Sequence, residues 1–139
     1  MQWPPDDRAV AFGLGTATLI FAYGTLVHVV HAVQTALGSN PYPGVPQCIA
    51  AFFWALLVLD PSIVALLILR PRIGWIAGCI VLVLDAAANV IVNYRAHGSS
   101  PGLTTGQVGS AIVAVLAVTM VCATPRVMLS LRVAAPNRP

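Results

Sequence analysis

A chain of 139 residues in which 58% of the side chains are hydrophobic and only 8% charged, with mean hydropathy +0.87, has too little polar surface to cover a soluble globule. Its net charge of +3 is spread between apolar runs and reflects membrane topology and contact with membrane lipids, which excludes nucleic acid as a partner. Runs of about 20 apolar residues suffice to cross a ~30 Å hydrocarbon core as helix.

Four such runs are present, over 9–37, 48–69, 73–94 and 104–123, so the expected fold is an all-α integral membrane protein, one transmembrane domain over 1–139 built as a four-transmembrane-helix bundle. Asp6-Asp7-Arg8 is a poor cationic start and the first run is too long for a signal peptide, so the first helix is expected to stay. Four spans put Arg8, Arg70, Arg72, Arg126, Arg132 and Arg138 on one face and Arg95 on the other. The positive-inside rule then places both termini in the cytoplasm, in a plasma membrane of bacterial type.

In chain order, Trp3-Pro4-Pro5 is a non-helical lead, and Asp6 or Asp7 caps the first helix, where acid suits the positive end of the helix dipole. That helix is polar in its second half, with Tyr23, Thr25, His28, His31, Gln34 and Thr35, a stripe that should not face lipid. The loop at 38–47 carries three prolines and no charge, and reads as a stiff cover over an entrance or as a plain connector. The second run sets Phe53, Leu57, Asp60 and Val64 on one face, Trp54 on a neighbouring one, and Pro61 beside the acid.

Arg70-Pro71-Arg72 is too short a link for anything but antiparallel neighbours. Counted from their loop-distal ends, Asp60 lies about 16 Å deep and Asp85 about 12 Å, within about one turn of each other. They are the only acids outside the N-terminal tip, and an ionisable group at mid-membrane costs on the order of 2.5 to 3.5 kcal/mol. On the third run Gly74 and Gly78 allow close helix approach, while Asp85, Asn89 and Asn93 form a polar continuation. The loop at 95–103 is turn-like. The fourth run packs through Gly106, Ser110 and Ala114, and an Arg-bearing amphipathic stretch at 125–133 extends it.

Two carboxyls in low dielectric do not both ionise cheaply, so one keeps its proton and can serve as a general acid. The catalytic candidates are Asp60, Asp85, His28 and Asn89. The candidates for binding substrate are Tyr23, His31, Gln34, Phe53, Trp54 and Asn93, the aromatic rings among them suited to developing positive charge. The bland alternative is that the acids only tie helices together. His28 and His31 have the spacing of half a metal site without further ligands, so no metal and no cofactor are assigned. Cys48, Cys79 and Cys122 read as small buried hydrophobes.

Gly24-Thr-Leu-Val-His28-Val-Val, Leu59-Asp-Pro61 with Leu69-Arg-Pro-Arg72, and Asn89-Val-Ile-Val-Asn-Tyr-Arg-Ala-His97-Gly98 resemble, in that order over roughly 20–130, the emopamil-binding-protein (EXPERA) family. That family includes the eukaryotic sterol Δ8-Δ7 isomerases and the sigma-2 receptor. The resemblance implies a membrane-opening cavity for sterol-like or amine ligands and acid–base chemistry through a carbocation-like intermediate. It carries His28 onto the family's first-helix His, Pro61 onto its second-helix Pro, and Asn89 onto a position usually acidic there. Ala32 and Phe52 stand near the isomerases' two Glu positions, and Val118 and Val121 near their fourth-helix Asn and Trp. The acids this chain offers instead are Asp60 and Asp85.

The expected function is a membrane-embedded acid–base enzyme that isomerises or cyclises a lipophilic isoprenoid or sterol-like small molecule. The alternatives are a protein that binds or transports a lipophilic ligand, a transporter of four spans needing to form a homodimer, and a structural subunit of a membrane complex.

Overall fold

The computed structural model describes residues 7–95 and 104–133. Within them the chain forms four helices, α1 (Arg8–Ala36), α2 (Gln47–Leu69), α3 (Pro71–Arg95) and α4 (Thr105–Val133). Each is long and apolar enough to cross a membrane, so the chain is an integral membrane protein with a four-helix bundle. Trp3, Asp6, His97, the loop glycines Gly98 and Gly102, and Arg138 lie outside the described residues.

Helix α1 packs along α2, α2 along α3 and α3 along α4, and α1 also touches α3 and α4. Side chains that a soluble protein would hide, among them Leu19, Val58, Ile80, Val115 and Val118, stand exposed around the outside and form the lipid-facing surface. Such residues gain nothing by burial when the solvent is itself hydrocarbon, so close packing between helices has to hold the bundle.

That packing is tightest at the end where the termini lie. Pro71 opens α3 directly after Arg70, two residues earlier than composition suggests. Proline suits the first helical position, where its missing N–H would have no partner anyway. Three residues on, a Cβ at Gly74 would run into the backbone of Leu66 and Leu67, so only glycine lets α3 lie this close to α2. Arg72 donates to the Leu131 carbonyl, and the buried Trp75 donates its indole N–H to Thr124 at 3.0 Å, tying α3 to α4 twice.

Asp7 caps α1, accepting from the Ala9 N–H at 2.9 Å, and faces Arg126 of α4 at 3.5 Å. Partial desolvation works upward on its carboxyl, but the Ala9 and Val10 N–H groups and Arg126 outweigh it and hold its pKa below the usual value. Helix α4 runs unbroken through Pro125, so 125–133 is its last two turns. The cysteines depart from expectation. Cys79 is half-buried, while Cys48 and Cys122 are exposed, Cys48 on the first turn of α2 and Cys122 on the outer side of α4.

The opposite end is looser. The buried residues of α1 are Val10, Leu14, Ala17 and Phe21, all in its first half. Beyond Phe21 no residue of this helix is fully buried, and the polar residues of its second half lie where the bundle opens.

Candidate functional site

A cavity of about 290 Å³ occupies that opening, walled by α1, α2, α3, α4 and the α1–α2 loop. Phe21 is part of its lining, and behind Phe21 lies Gly78 of α3, where a Cβ would come within 3.0 Å of Phe21 and Met120 and 3.3 Å of Ile63. All four helices therefore meet at one glycine. Above it Ile20, Val27, Val81, Leu82, Ile112, Val113 and Leu116 make a mostly apolar wall.

Both acids enter this wall, Asp60 from α2 and Asp85 from α3. Asp60 is buried on the same face as Phe53, Leu56 and Ile63, a face turned by one residue from that expected, since Leu57 and Val64 are only half-buried. A Cβ at Gly24 would run into the Asp60 carboxyl, so Gly24 makes the space in which this acid sits against α1. One turn along α1, His28 Nε2 lies 3.8 Å from Asp60 Oδ2. This is ion-pair range but too long for a hydrogen bond. His28 Nδ1 is buried and has no partner among the described residues.

Asp85 is held differently. Asn89 donates its amide N–H to Asp85 Oδ1 at 2.9 Å and to the Asp85 carbonyl at 3.0 Å, fixing both side chains on α3. The Asp85 charge also acts on the Tyr42 phenol of the loop.

Tyr42 belongs to the loop at 38–47 and comes to the site because that loop is tightly shaped. Gly38 and Gly44 take φ of +87° and +72°, which favour glycine. Gly38 closes α1 in the usual left-handed C-terminal position. Asn40 Oδ1 accepts from the Tyr42 N–H at 2.9 Å, a side-chain turn that aims the ring back over the bundle. There its hydroxyl meets His31 Nδ1 at 2.9 Å. Its ring lies 5.2 Å from Phe53 and edge-on to His31 and Trp54. Burial, with the Asp85 charge, pushes the Tyr42 phenol up to about 12.

The structure thus brings Asp60, Asp85, His28, Asn89, His31 and Phe53 to one cavity, with Tyr23 on its rim, 70% exposed between α1 and α4. Three of the expected residues lie elsewhere. Gln34 is exposed on the last turn of α1, past the cavity. Trp54 backs Tyr42 from outside without lining the void. Asn93 is two turns beyond Asp85 and donates to Ser110 of α4 at 2.9 Å, a helix tie.

Sequence reasoning missed Tyr42 and Gly24. The Asn40-Pro-Tyr42 turn and the Gly24–His28 one-turn spacing are their only local signals. Among the described residues no cluster of three His, Cys, Asp or Glu side chains is placed to hold a metal. No protein-family model, curated protein or solved structure matches this chain.

Proposed function

We propose that the chain is a membrane-embedded acid–base catalyst that protonates an unsaturated lipophilic molecule of isoprenoid type and isomerises or cyclises it. One observation carries this reading: two carboxyls from facing helices and a histidine 3.8 Å from one of them line a single, mostly apolar cavity. At about 290 Å³ the cavity is at the low end of ligand pockets. It encloses the reacting end of a chain or one ring, with the remainder of a larger substrate in the bilayer beside Tyr23 and Ile112.

The roles follow from the partners. The Asn89 amide donates to Asp85, and a donor favours the charged carboxylate. Asp85 is therefore the fixed negative charge. Asp60, with no hydrogen-bond donor among the described residues, carries the proton. Asp60 gives that proton to an alkene carbon, and the π pair forms the new C–H bond. The cation left on the neighbouring carbon faces the Tyr42 and Phe53 rings and the Asp85 carboxylate. His28 Nε2 takes a proton from the adjacent carbon, the C–H pair becomes the new double bond, and the proton returns to Asp60 when a side-chain movement of about 1 Å brings the two, 3.8 Å apart, within hydrogen-bond reach. No net charge or electron is left over.

The test is deuterium incorporation. Purified protein in nanodiscs is incubated in D₂O with a panel of acyclic and monocyclic isoprenoids, and products are read by mass spectrometry. Deuterated isomer is expected with the native chain and lost in Asp60→Asn and Asp85→Asn while the fold is retained. Absence of deuterated product across the panel, with those variants no different from the native chain, would sink the reading.

A second reading is a receptor for a lipophilic amine, favoured by the Tyr42 and Phe53 rings beside two carboxyls. It predicts affinity for a hydrophobic tertiary amine that Asp60→Asn abolishes, with no deuterium entering any product. On either reading both termini are assigned to the cytoplasmic face of a bacterial-type plasma membrane, from the arginine distribution.

A further inference from the structure

We propose that the acid pair exchanges protons with one aqueous face only, that of the α1–α2 loop, through a titratable link formed by Tyr42 and His31, and that the four-helix contact at Gly78 stops the opposite route. This goes beyond the proposed reaction and holds for catalyst and receptor alike. It rests on an asymmetry about the acids.

On the loop side the cavity gathers polar groups from three elements. Asp60 faces His28 of α1 and shares the cavity with Asp85 of α3 and Tyr42 of the loop, whereas α4 presents only Ile112, Val113 and Leu116. Tyr42 bonds His31 at 2.9 Å, and His31 is partly exposed beside the exposed Gln34 and Thr35 at the end of α1. Along α3, Asn89, Asn93 and Ser110 extend in the same direction, joined by bonds of 2.9 Å. The Tyr42 phenol stays neutral at physiological pH and relays without charge, giving its own proton to one neighbour and taking another in its place.

On the other side the way is closed. Gly78 lies two turns from Asp85 on α3, about 10 Å away, and Phe21, Ile63 and Met120 converge on it from the other three helices. Beyond this contact Trp75 and Thr124 are bonded to one another. A proton crossing here would have to leave all polar partners, which is costly in an apolar medium.

The test reads carboxyl protonation with dicyclohexylcarbodiimide, which enters the bilayer and modifies protonated carboxyls, so it needs no substrate and its outcome is independent of turnover. The full chain is placed in sealed phosphatidylcholine vesicles, its orientation scored by reaction of Cys48 with a membrane-impermeant maleimide, and the pH of each side is set separately. Adduct at Asp60, the acid that carries the proton, is expected to follow the pH of the loop side and to ignore the other. Adduct that follows the other side, or both, overturns the one-sided route. A second readout is the rate at which the carboxyl C=O infrared band shifts on transfer to D₂O. Tyr42→Phe keeps the ring contacts, removes the hydroxyl and is expected to slow this shift severalfold. An unchanged rate overturns the Tyr42 link.

Discussion

The two ends of the bundle are built from the same four apolar helices and behave oppositely. At the terminal end Gly74 and Gly78 bring α3 against its neighbours, and Leu14, Leu67, Trp75 and Leu131 are almost wholly buried. At the loop end no residue of α1 is buried after Phe21, and the helices enclose a cavity instead of one another. The difference teaches that in hydrocarbon the size of the side chains at the contacts, more than their apolarity, decides where a bundle closes. The tight end supplies rigidity, and the open end holds the unfavourable polar groups that chemistry needs.

The comparison breaks most visibly at the tight end. Trp75→Ala removes a ring that is 2% exposed and its bond to Thr124, and should cost about 3 kcal/mol or more, read as unfolding in detergent followed by circular dichroism. A loss under about 1 kcal/mol would show that this end is not the anchor. Gly74→Ala, which pushes a methyl into the α2 backbone, should cost about 1 to 3 kcal/mol by the same measurement.

The loop end should respond with the opposite sign. Asp60→Asn and Asp85→Asn relieve one buried and one half-buried acid lining one small void. They should leave stability unchanged or raise it by up to about 1 kcal/mol, while the carbodiimide adduct at position 60 disappears in Asp60→Asn. Marked destabilisation would make the pair a structural tie between α2 and α3.

Tyr42 gives a pH signature. Its phenol is raised from 10.0 to about 12, so its contribution is complete below about pH 10 and is lost as pH rises through about 12. Thermal stability should therefore fall over that alkaline window in the native chain and fall less in Tyr42→Phe.

The smallest effect belongs to Asp7, whose depressed pKa contributes stability above the usual carboxylate range and loses it as pH falls through the lowered value. Asp7→Asn should flatten the acid limb of the stability profile slightly, with the two curves meeting in strong acid. Because Asp7 is at the tight end, its removal should leave the cavity unchanged.

Much of this was legible in the residues. The four spans and their antiparallel order follow from run length and from the short link at Arg70, because hydropathy adds up residue by residue along a chain. Asp60 and Asp85 stood out because an acid in lipid is costly wherever its helix packs, and depth counted along two adjacent helices already placed them at similar heights. Asn89 follows from its one-turn spacing to Asp85, and His28 from the polar second half of the first helix.

What the tertiary structure decided is everything that depends on how helices diverge. Gln34 shares the polar half of α1 with His31, yet one is exposed past the cavity and the other lines it, because the bundle ends between them. Trp54 adjoins Phe53 and Asn93 follows Asn89 by one turn, yet neither lines the cavity. Tyr42 reaches the cavity only through two left-handed glycines and the Asn40 turn, and Gly24 matters only because Asp60 from another helix occupies the place of its missing side chain. The sequence determined that this chain crosses a membrane carrying two acids at matched depth, because transfer into lipid is a property of each residue. Whether those acids share a void was decided by the spacing between helices, which depends on contacts between residues far apart in the chain.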